Sequence, residues 1–454
     1  MARTARLSGF PEWLPAGHVV QASVEDTARR VFELHGFAGI ETRAVEPLDQ
    51  MLRKGEIDKE VYVLRRLHAD EQDADSGLGL HFDLTVPFAR YVVEHAGQLE
   101  FPFKRYQIQK VWRGERPQDG RFREFTQADI DVVGRDHLPF HYEVEMAVTM
   151  ATLLSALPIP PAVIQVNNRK LAEGFYRAVG ANAPESVLRA IDKLDKIGPE
   201  ATHRLLVEQA GLSSQAADLC LDLAGIRTAD SSFAEQVSAL GVTGELLDEG
   251  IRELAAVVDG ANAERPGSVV ADLRIARGLD YYTGTVYETQ LIGFESVGSI
   301  ASGGRYDSLA TDGRQTYPGV GISLGVTRLV SILLGNDLVE VSRPVPSAVL
   351  VAVLDEVSRE RSQRVAAALR SRGIACEVAP SADKLGKQIK YADKRGVPFV
   401  WFPDVDGDSV KDIRTGEQTP AEANTWDPPE DDRAPQVRSR PDDHRSTTDQ
   451  EALS

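Results

Sequence analysis

"FREFTQADIDVV", residues Phe122–Val133, is the stretch on which the fold turns. Read with period two, Glu124, Thr126, Ala128, Ile130 and Val132 fall on one face, and Phe125, Gln127, Asp129 and Asp131 on the other. Strict alternation predicts a strand. The first face is largely suited to a core. The second carries an aromatic ring, an amide and two acids in a row. Taken alone, that row is either a solvated face or a face turned toward a ligand.

Just upstream, "FKRYQIQKVWRGERPQDGR" supplies a second strand pattern and a Pro/Gly loop with Arg113, Arg116 and Arg121, and Arg123 follows. Guanidinium groups on a hairpin suit a polyanion such as a triphosphate, because each can hold two oxygens at once. The same loop also reads as solvated arginines on a turn. Residues 319–330, "GVGISLGVTRLV", are a Gly-spaced strand turning into a helix with Arg328 near its start. They fit a phosphate site or plain tight packing of strand on helix. No GxxxxGK[ST] loop is present, which argues against a P-loop nucleotide site. A further polar set comprises Asp83 and Thr85 in "FDLTV", and Arg277, Tyr281 and Tyr282 in "ARGLDYYTGT"; "ASGGRYDSL" follows at 301–309. Acids, a hydroxyl and an arginine suit the amine and carboxylate of an amino acid. The tyrosines equally fit a half-buried sheet, and Arg277 can pair with Asp280.

The bulk numbers bound the class. A chain of 454 residues, 42% hydrophobic and 26% charged, has room for two or three domains with cores. Its net charge of -18 argues against nonspecific nucleic-acid binding over the whole surface but allows a local basic groove. Two cysteines, Cys220 and Cys376, make neither a disulfide framework nor a zinc cluster and fit a reducing cytoplasm. The N-terminus has no apolar signal region, and no stretch approaches a membrane span, so no membrane partner is expected.

Along the chain, "VQASVEDTARRVFELH" at 20–35 spaces Val24, Ala28, Val31 and Phe32 as a helix ending near Gly36. Strand-rich sequence follows, then a helical pattern at about 170–268, then strands again. A helical insertion in a sheet makes residues 1–335 an α+β domain. A Pro-bearing linker is expected at 336–347. Over 348–423, strand–helix–strand–helix–strand texture predicts a small α/β domain with a largely parallel sheet. The acidic, Pro-rich tail at 424–454 is expected to be disordered.

In combination these stretches resemble the histidyl-tRNA synthetases, members of the class II aminoacyl-tRNA synthetases. "FKRYQIQKVWRGERPQDGRFREFTQADIDVVG" resembles their motif 2 and "GVGISLGVTRL" their motif 3. "RGLDYYTGTVYE" and "SGGRYDSL" are similar to the two stretches peculiar to the histidine enzymes, and "LHFDLTVPFARY" and "IDKLDK" to their eukaryotic-type branch. The resemblance covers about residues 10–423. It implies a class II catalytic domain with an antiparallel sheet, and ATP-dependent ligation of L-histidine to tRNA(His) through a histidyl-adenylate, a step of protein biosynthesis. It further implies Mg²⁺ on the outer phosphates, a homodimer and a cytoplasmic location.

By the same resemblance, Phe125 stacks on adenine and Glu115 contacts its amino group. Arg113 holds the α-phosphate, Arg328 takes the terminal phosphates, and Arg121 assists. For histidine, Asp83 and Thr85 bind the α-amino group, Gln127 contacts the amino acid, and Asp131 receives the imidazole N–H. Tyr281 and Tyr282 line the imidazole pocket, and Arg277 contacts both the carboxylate and the α-phosphate. Arg277 and Arg113 are the expected catalytic residues. Gln127 and Asp131 lie about 13 Å apart along a strand at ~3.3 Å per residue, enough to reach both ends of one amino acid. No role for Asp129 follows from the resemblance. Two positions depart from the family pattern: Arg43 stands where motif 1 carries proline, and Thr327 where motif 3 commonly carries Glu.

In the C-terminal domain, "ADKLGKQIKYADKR" puts Lys384, Lys387, Lys390 and Lys394 within one arc of roughly 120° on a helix, with Leu385, Ile389 and Ala392 on an adjoining arc. The domain resembles the family's anticodon-binding domain, which turns a solvated lysine face into an expected tRNA contact. Two alternatives to the ligase are a synthetase-like regulatory subunit of ATP phosphoribosyltransferase, which typically lacks this domain, and a class II synthetase for another amino acid.

Overall fold

The alternating stretch is a strand in the computed structural model, which describes residues 7–51, 61–67, 77–117, 120–276 and 281–440. It lies inside a nine-stranded sheet. Numbered in chain order, the strands are β1 (Ala38–Gly39), β2 (Phe103–Trp112), β3 (Glu124–Val133), β4 (Ala162–Asn168), β5 (Arg227–Thr228), β6 (Val269–Asp272), β7 (Thr285–Leu291), β8 (Ala301–Tyr306) and β9 (Gly319–Gly325). Their order across the sheet is β1-β2-β3-β9-β8-β7-β4-β6-β5. Only β1 with β2 and β4 with β6 pair in parallel.

The two faces of β3 have different neighbours. Thr126, Ala128, Ile130 and Val132 are buried, and the helix His141–Ala156 packs on β3 and β9. That helix is apolar on nearly every side, with Met146, Ala147, Met150 and Leu153 all out of solvent, as a central helix must be. On the opposite face the register sets the site. Gln127, Asp129 and Asp131 stand across from Gln109, Gln107 and Arg105 on β2, and from Gly325, Ser323 and Gly321 on β9. Between β4 and β6 the chain runs through helices from Arg169–Ala178 to Glu245–Glu264.

The helix Pro15–Leu34 buries Val24, Ala28, Val31 and Phe32 as its spacing predicts. By compactness the chain divides into Val24–Ile332 with the first residues of the chain, and Glu12–Ser23 with Leu333 onward. In the first unit, Glu46 is buried in the short Val45–Pro47 strand. Arg90 holds it through Nη2 at 2.8 Å, and Arg43 lies 3.2 Å from it. Arg43 is therefore part of a carboxylate clamp.

The second unit has β10 (Val349–Val351), β11 (Cys376–Val378), β12 (Phe399–Phe402), β13 (Ser409–Asp412) and β14 (Gln418–Pro420) in the order β11-β10-β12-β13-β14. The expected parallel sheet holds for the first three strands. The "VKDIRTGEQ" stretch adds an antiparallel hairpin beside them.

The expected disorder of 424–454 is corrected over 424–440; residues 441–454 lie outside the described residues. Trp426 packs edge-on against Phe399 and Trp401, with ring centroids 5.4 and 5.6 Å away. Val437–Ser439 pairs antiparallel with Val339–Val341, inside the expected linker. Arginines elsewhere in the unit hold this acidic segment. Arg372 reaches Asp427 at 2.6 Å, Arg414 reaches Asp432 at 2.9 Å, and Arg343 donates to the Asp432 carbonyl. Composition read locally misses such docking, because the compensating charges sit elsewhere in the chain.

Trp426→Ala should therefore destabilise the protein by about 2 kcal/mol, a half-buried share of the usual cost of truncating a large aromatic. Thermal melting checks this. An unchanged midpoint would mean that the segment contributes nothing to the fold.

Candidate active site

Two adjoining cavities open on the polar face of β3. The inner one, of about 100 Å³, is bordered by Asp83, Thr85, Asp129, Asp131, Tyr281 and Tyr282. The outer one, of about 260 Å³, is bordered by Glu115, Arg121, Phe125 and Arg328. Arg113, Gln127, Ser302 and Ser323 border both. The structure thus brings together every candidate catalytic-domain residue except Arg277, which lies outside the described residues.

The inner cavity is built from the floor up. Asp131 is not a lone acceptor. Its Oδ1 accepts from the Tyr306 hydroxyl at 2.7 Å, and its Oδ2 lies 2.7 Å from Arg105 Nη2. Arg105 is fully buried beneath it, over the Phe88 ring at 4.3 Å. The approach is poorly angled, and none of the three guanidinium nitrogens makes a hydrogen bond of good geometry. Room for the Asp131 carboxylate comes from Gly321 on β9, where a Cβ would stand 2.1 Å from its Oδ1. Tyr281 donates to the Tyr282 hydroxyl at 2.8 Å. Burial beside Tyr281 and Asp131 pushes the Tyr282 phenol well above its ordinary range, so it stays neutral.

Asp83 precedes the helix Thr85–His95 and accepts the Val86 N–H at 3.1 Å, which fixes both Asp83 and Thr85 at the cavity. His81 secures that loop. Its Nε2–H donates to the Lys110 carbonyl at 2.7 Å and its ring stacks on Trp112. Burial lowers its pKa and keeps it neutral.

Asp129 is unusual. Its carboxyl is pushed up from the ordinary 3.8 to about 7 by burial, against the pull of Arg105, with Asp131 and Asp83 adding repulsion. Its Oδ1 and the Gln127 Oε1 have no hydrogen-bond partner.

In the outer cavity, Arg113 lies over the Phe125 ring at 5.1 Å, and its Nε donates to the Phe82 carbonyl. Arg121 and Glu115 face each other at 3.6 Å. Arg328 donates to the carbonyls of Gly120 and Ser299. Thr327, the departure in motif 3, is buried, and its hydroxyl accepts the Thr126 N–H at 2.8 Å. It ties β3 to the helix Val326–Gly335, which follows β9.

Sequence reasoning missed Arg105, Tyr306 and Ser323. Arg105 had a signal. A hairpin centred near residue 118 puts it across from Asp131. Tyr306 and Ser323 needed the β8–β9–β3 pairing, which no local pattern predicts.

The four lysines lie in the second unit and are exposed. Lys384 stands just before the helix Leu385–Lys394 rather than within it, and Lys387 pairs with Asp383 at 3.3 Å. Leu385, expected to pack, is 38% exposed. Gln388 is buried in its stead because its amide exchanges two hydrogen bonds with the Val353 backbone, at 3.0 and 2.8 Å.

The model of the histidyl-tRNA synthetase family matches residues 9–329, and that of an anticodon binding domain matches residues 348–406. The histidine–tRNA ligase of Cutibacterium acnes is 59% identical over 450 residues, 96% of this chain and 99% of the relative. That of Micrococcus luteus is 59% identical over 453 residues, again 96% and 99%. Among solved structures, histidyl-tRNA synthetase from Nostoc sp. PCC 7120 superposes with a TM-score of 0.84 at 36% identity, covering 93% of this chain and 98% of that one.

Two outcomes follow from this geometry. Gly321→Ala should cost about 1–3 kcal/mol, as an added methyl does in a filled core. Chemical denaturation checks it, and a neutral result would mean that β9 gives way freely. Asp129 makes a pH-dependent case. Between about pH 4 and 7 the folded protein holds a proton that the unfolded chain has released, so this group's contribution to stability falls as pH rises. Asp129→Asn should therefore melt above the parent at pH 8 and close to it near pH 4. Equal gaps at both pH values would reject the raised pKa.

Proposed function

The chain belongs to the histidyl-tRNA synthetase family, enzymes that join L-histidine to tRNA with ATP, and we propose that its two cavities divide that reaction between them. The inner cavity takes histidine. Asp131, pinned by Arg105 and Tyr306, keeps a lone pair for the imidazole N–H, and Tyr281 and Tyr282 wall the ring. Asp83 and Thr85 bind the α-amino group, and Gln127 contacts the amino acid. The outer cavity takes MgATP, with the metal carried on the outer phosphates. Adenine stacks on Phe125 near Glu115, Arg328 meets the terminal phosphates, and Arg121 assists.

One observation carries this reading. Arg113 and Gln127 border both cavities, where the carboxylate of one substrate would meet the α-phosphate of the other. A carboxylate oxygen attacks the α-phosphorus, the bond to the bridging oxygen breaks, and pyrophosphate leaves. Arg113 and Arg277 stabilise the shifting charge, and the rest is alignment. In the second step the tRNA terminal hydroxyl attacks the histidyl carbonyl and AMP departs. Lys384, Lys387, Lys390 and Lys394 are proposed to meet the phosphates of the cognate tRNA(His).

A homodimer working in the cytoplasm, with no membrane partner, belongs to the same proposal. Among the described residues no helix is long and apolar enough to cross a membrane. The regulatory-subunit alternative is not favoured, since an anticodon binding domain matches residues 348–406.

ATP–pyrophosphate exchange with each amino acid in turn tests the reading. Exchange should depend on histidine and stay at background with the others; exchange driven by a different amino acid rejects it. In rapid-quench measurements Arg277→Ala should slow adenylate formation by roughly 10²-fold while KM values move less. A wild-type rate would make Arg277 structural.

A further inference from the structure

We infer that Asp129 is a further substrate-binding residue, which with Gln127 forms the acceptor pair for the α-ammonium group of histidine. This rests on the inner cavity being the histidine site. Asp129 and Gln127 are 3% and 8% exposed, sit two residues apart on the polar face of β3, and both border the inner cavity. Each has one oxygen, Oδ1 and Oε1, without a hydrogen-bond partner. Their remaining atoms are tied. Gln127 Nε2 donates to Ser323 Oγ at 2.7 Å, and Ser323 hydrogen-bonds the Asp129 carboxyl. The amide is thereby fixed with its carbonyl oxygen left over.

Buried acceptors call for a donor, and an empty site leaves that demand unmet. Histidine offers its imidazole N–H and its ammonium; the carboxylate offers nothing. An ammonium has three N–H groups, so it can meet both oxygens at once and keep one for Asp83 or Thr85. The imidazole N–H already has Asp131 in the proposed arrangement.

The groups facing Asp129 are Arg105 on β2, Ser323 on β9, Asp131 on its own strand and Asp83 before the Thr85–His95 helix. In the free protein near pH 7, burial holds a share of the Asp129 carboxyls in the protonated form. An arriving ammonium favours the carboxylate, and a proton leaves to solvent.

Calorimetric titration of the full chain tests this with two probes. L-Histidinol keeps the imidazole and the ammonium; imidazolepropionate keeps the imidazole and the carboxylate but lacks the ammonium. Asp129→Asn should weaken histidinol at pH 8 by roughly ten- to hundredfold and imidazolepropionate by less than about twofold. Near pH 7, heats in buffers of different ionisation enthalpy should show protons released by the parent on binding histidinol and none by the variant. Asp129→Ala carries the same expectations should the asparagine variant misfold. Equal weakening of both probes, or of neither, overturns the assignment. A parent chain that binds neither probe instead removes the histidine site itself.

Discussion

Arg105 and Asp131 face each other across β2 and β3, both out of water, and the inner cavity is arranged around them. Taking two ions out of water costs on the order of several kcal/mol each, and attraction repays it only when geometry is good. Here the angles are poor. The pair is thus a weak stabiliser of the fold and makes better sense as a charge held ready for a ligand. Its demands spread outward. A carboxylate locked by Arg105 and Tyr306 leans over β9, and only glycine fits at position 321. The Tyr306 ring in turn lies where a side chain at Gly319 would stand. Two of the three glycines of "GVGISLG", Gly319 and Gly321, are thus tied to that ion pair and its tyrosine.

The two cavities differ in the ionisable groups on their walls. Carboxylates dominate the inner wall, whereas Arg113, Arg121 and Arg328 dominate the outer one. On the proposed roles, a ligand positive at one end and negative at the other lies along that gradient. Its reactive carboxylate comes to rest at the boundary, beside Arg113. Such preorganised charge acts without reorganising during reaction, which makes it effective in a site shielded from water. A chain of net charge -18 concentrates its cations locally to achieve this.

Much of this was legible in the sequence because the residues concerned are local. Alternation in "FREFTQADIDVV" exposes its two faces, and the hairpin arginines flank their own strand. What escaped depends on partners distant in the chain. Tyr306 meets Asp131 across 175 residues, and Ser323 meets Gln127 across 196. The docked 424–440 segment escaped for the same reason. Its single aromatic and its acids look solvated until Phe399, Trp401, Arg372 and Arg414 surround them. Asp129 is intermediate. Its place on the polar face was plain, but its burial was not.

A cavity with unmet acceptors and a carboxyl that resists ionisation weakens the protein that contains it. Its shape must then be imposed from outside. Arg305 joins Glu143 at 2.9 Å to Asp307 at 3.0 Å. Glu143 accepts the Thr285 N–H, and Asp307 accepts the Thr283 hydroxyl at 2.6 Å. Thr283 directly follows the two tyrosines of the inner wall. On the other side of the site, His81 ties the loop before Asp83 to β2. Neither network borders either of the two cavities, yet between them they clamp chain segments on both sides of the inner one. Positioning by ion pairs and hydrogen bonds outside the two cavities leaves two acceptors of the wall residues, Asp129 Oδ1 and Gln127 Oε1, still without partners and open to a donor.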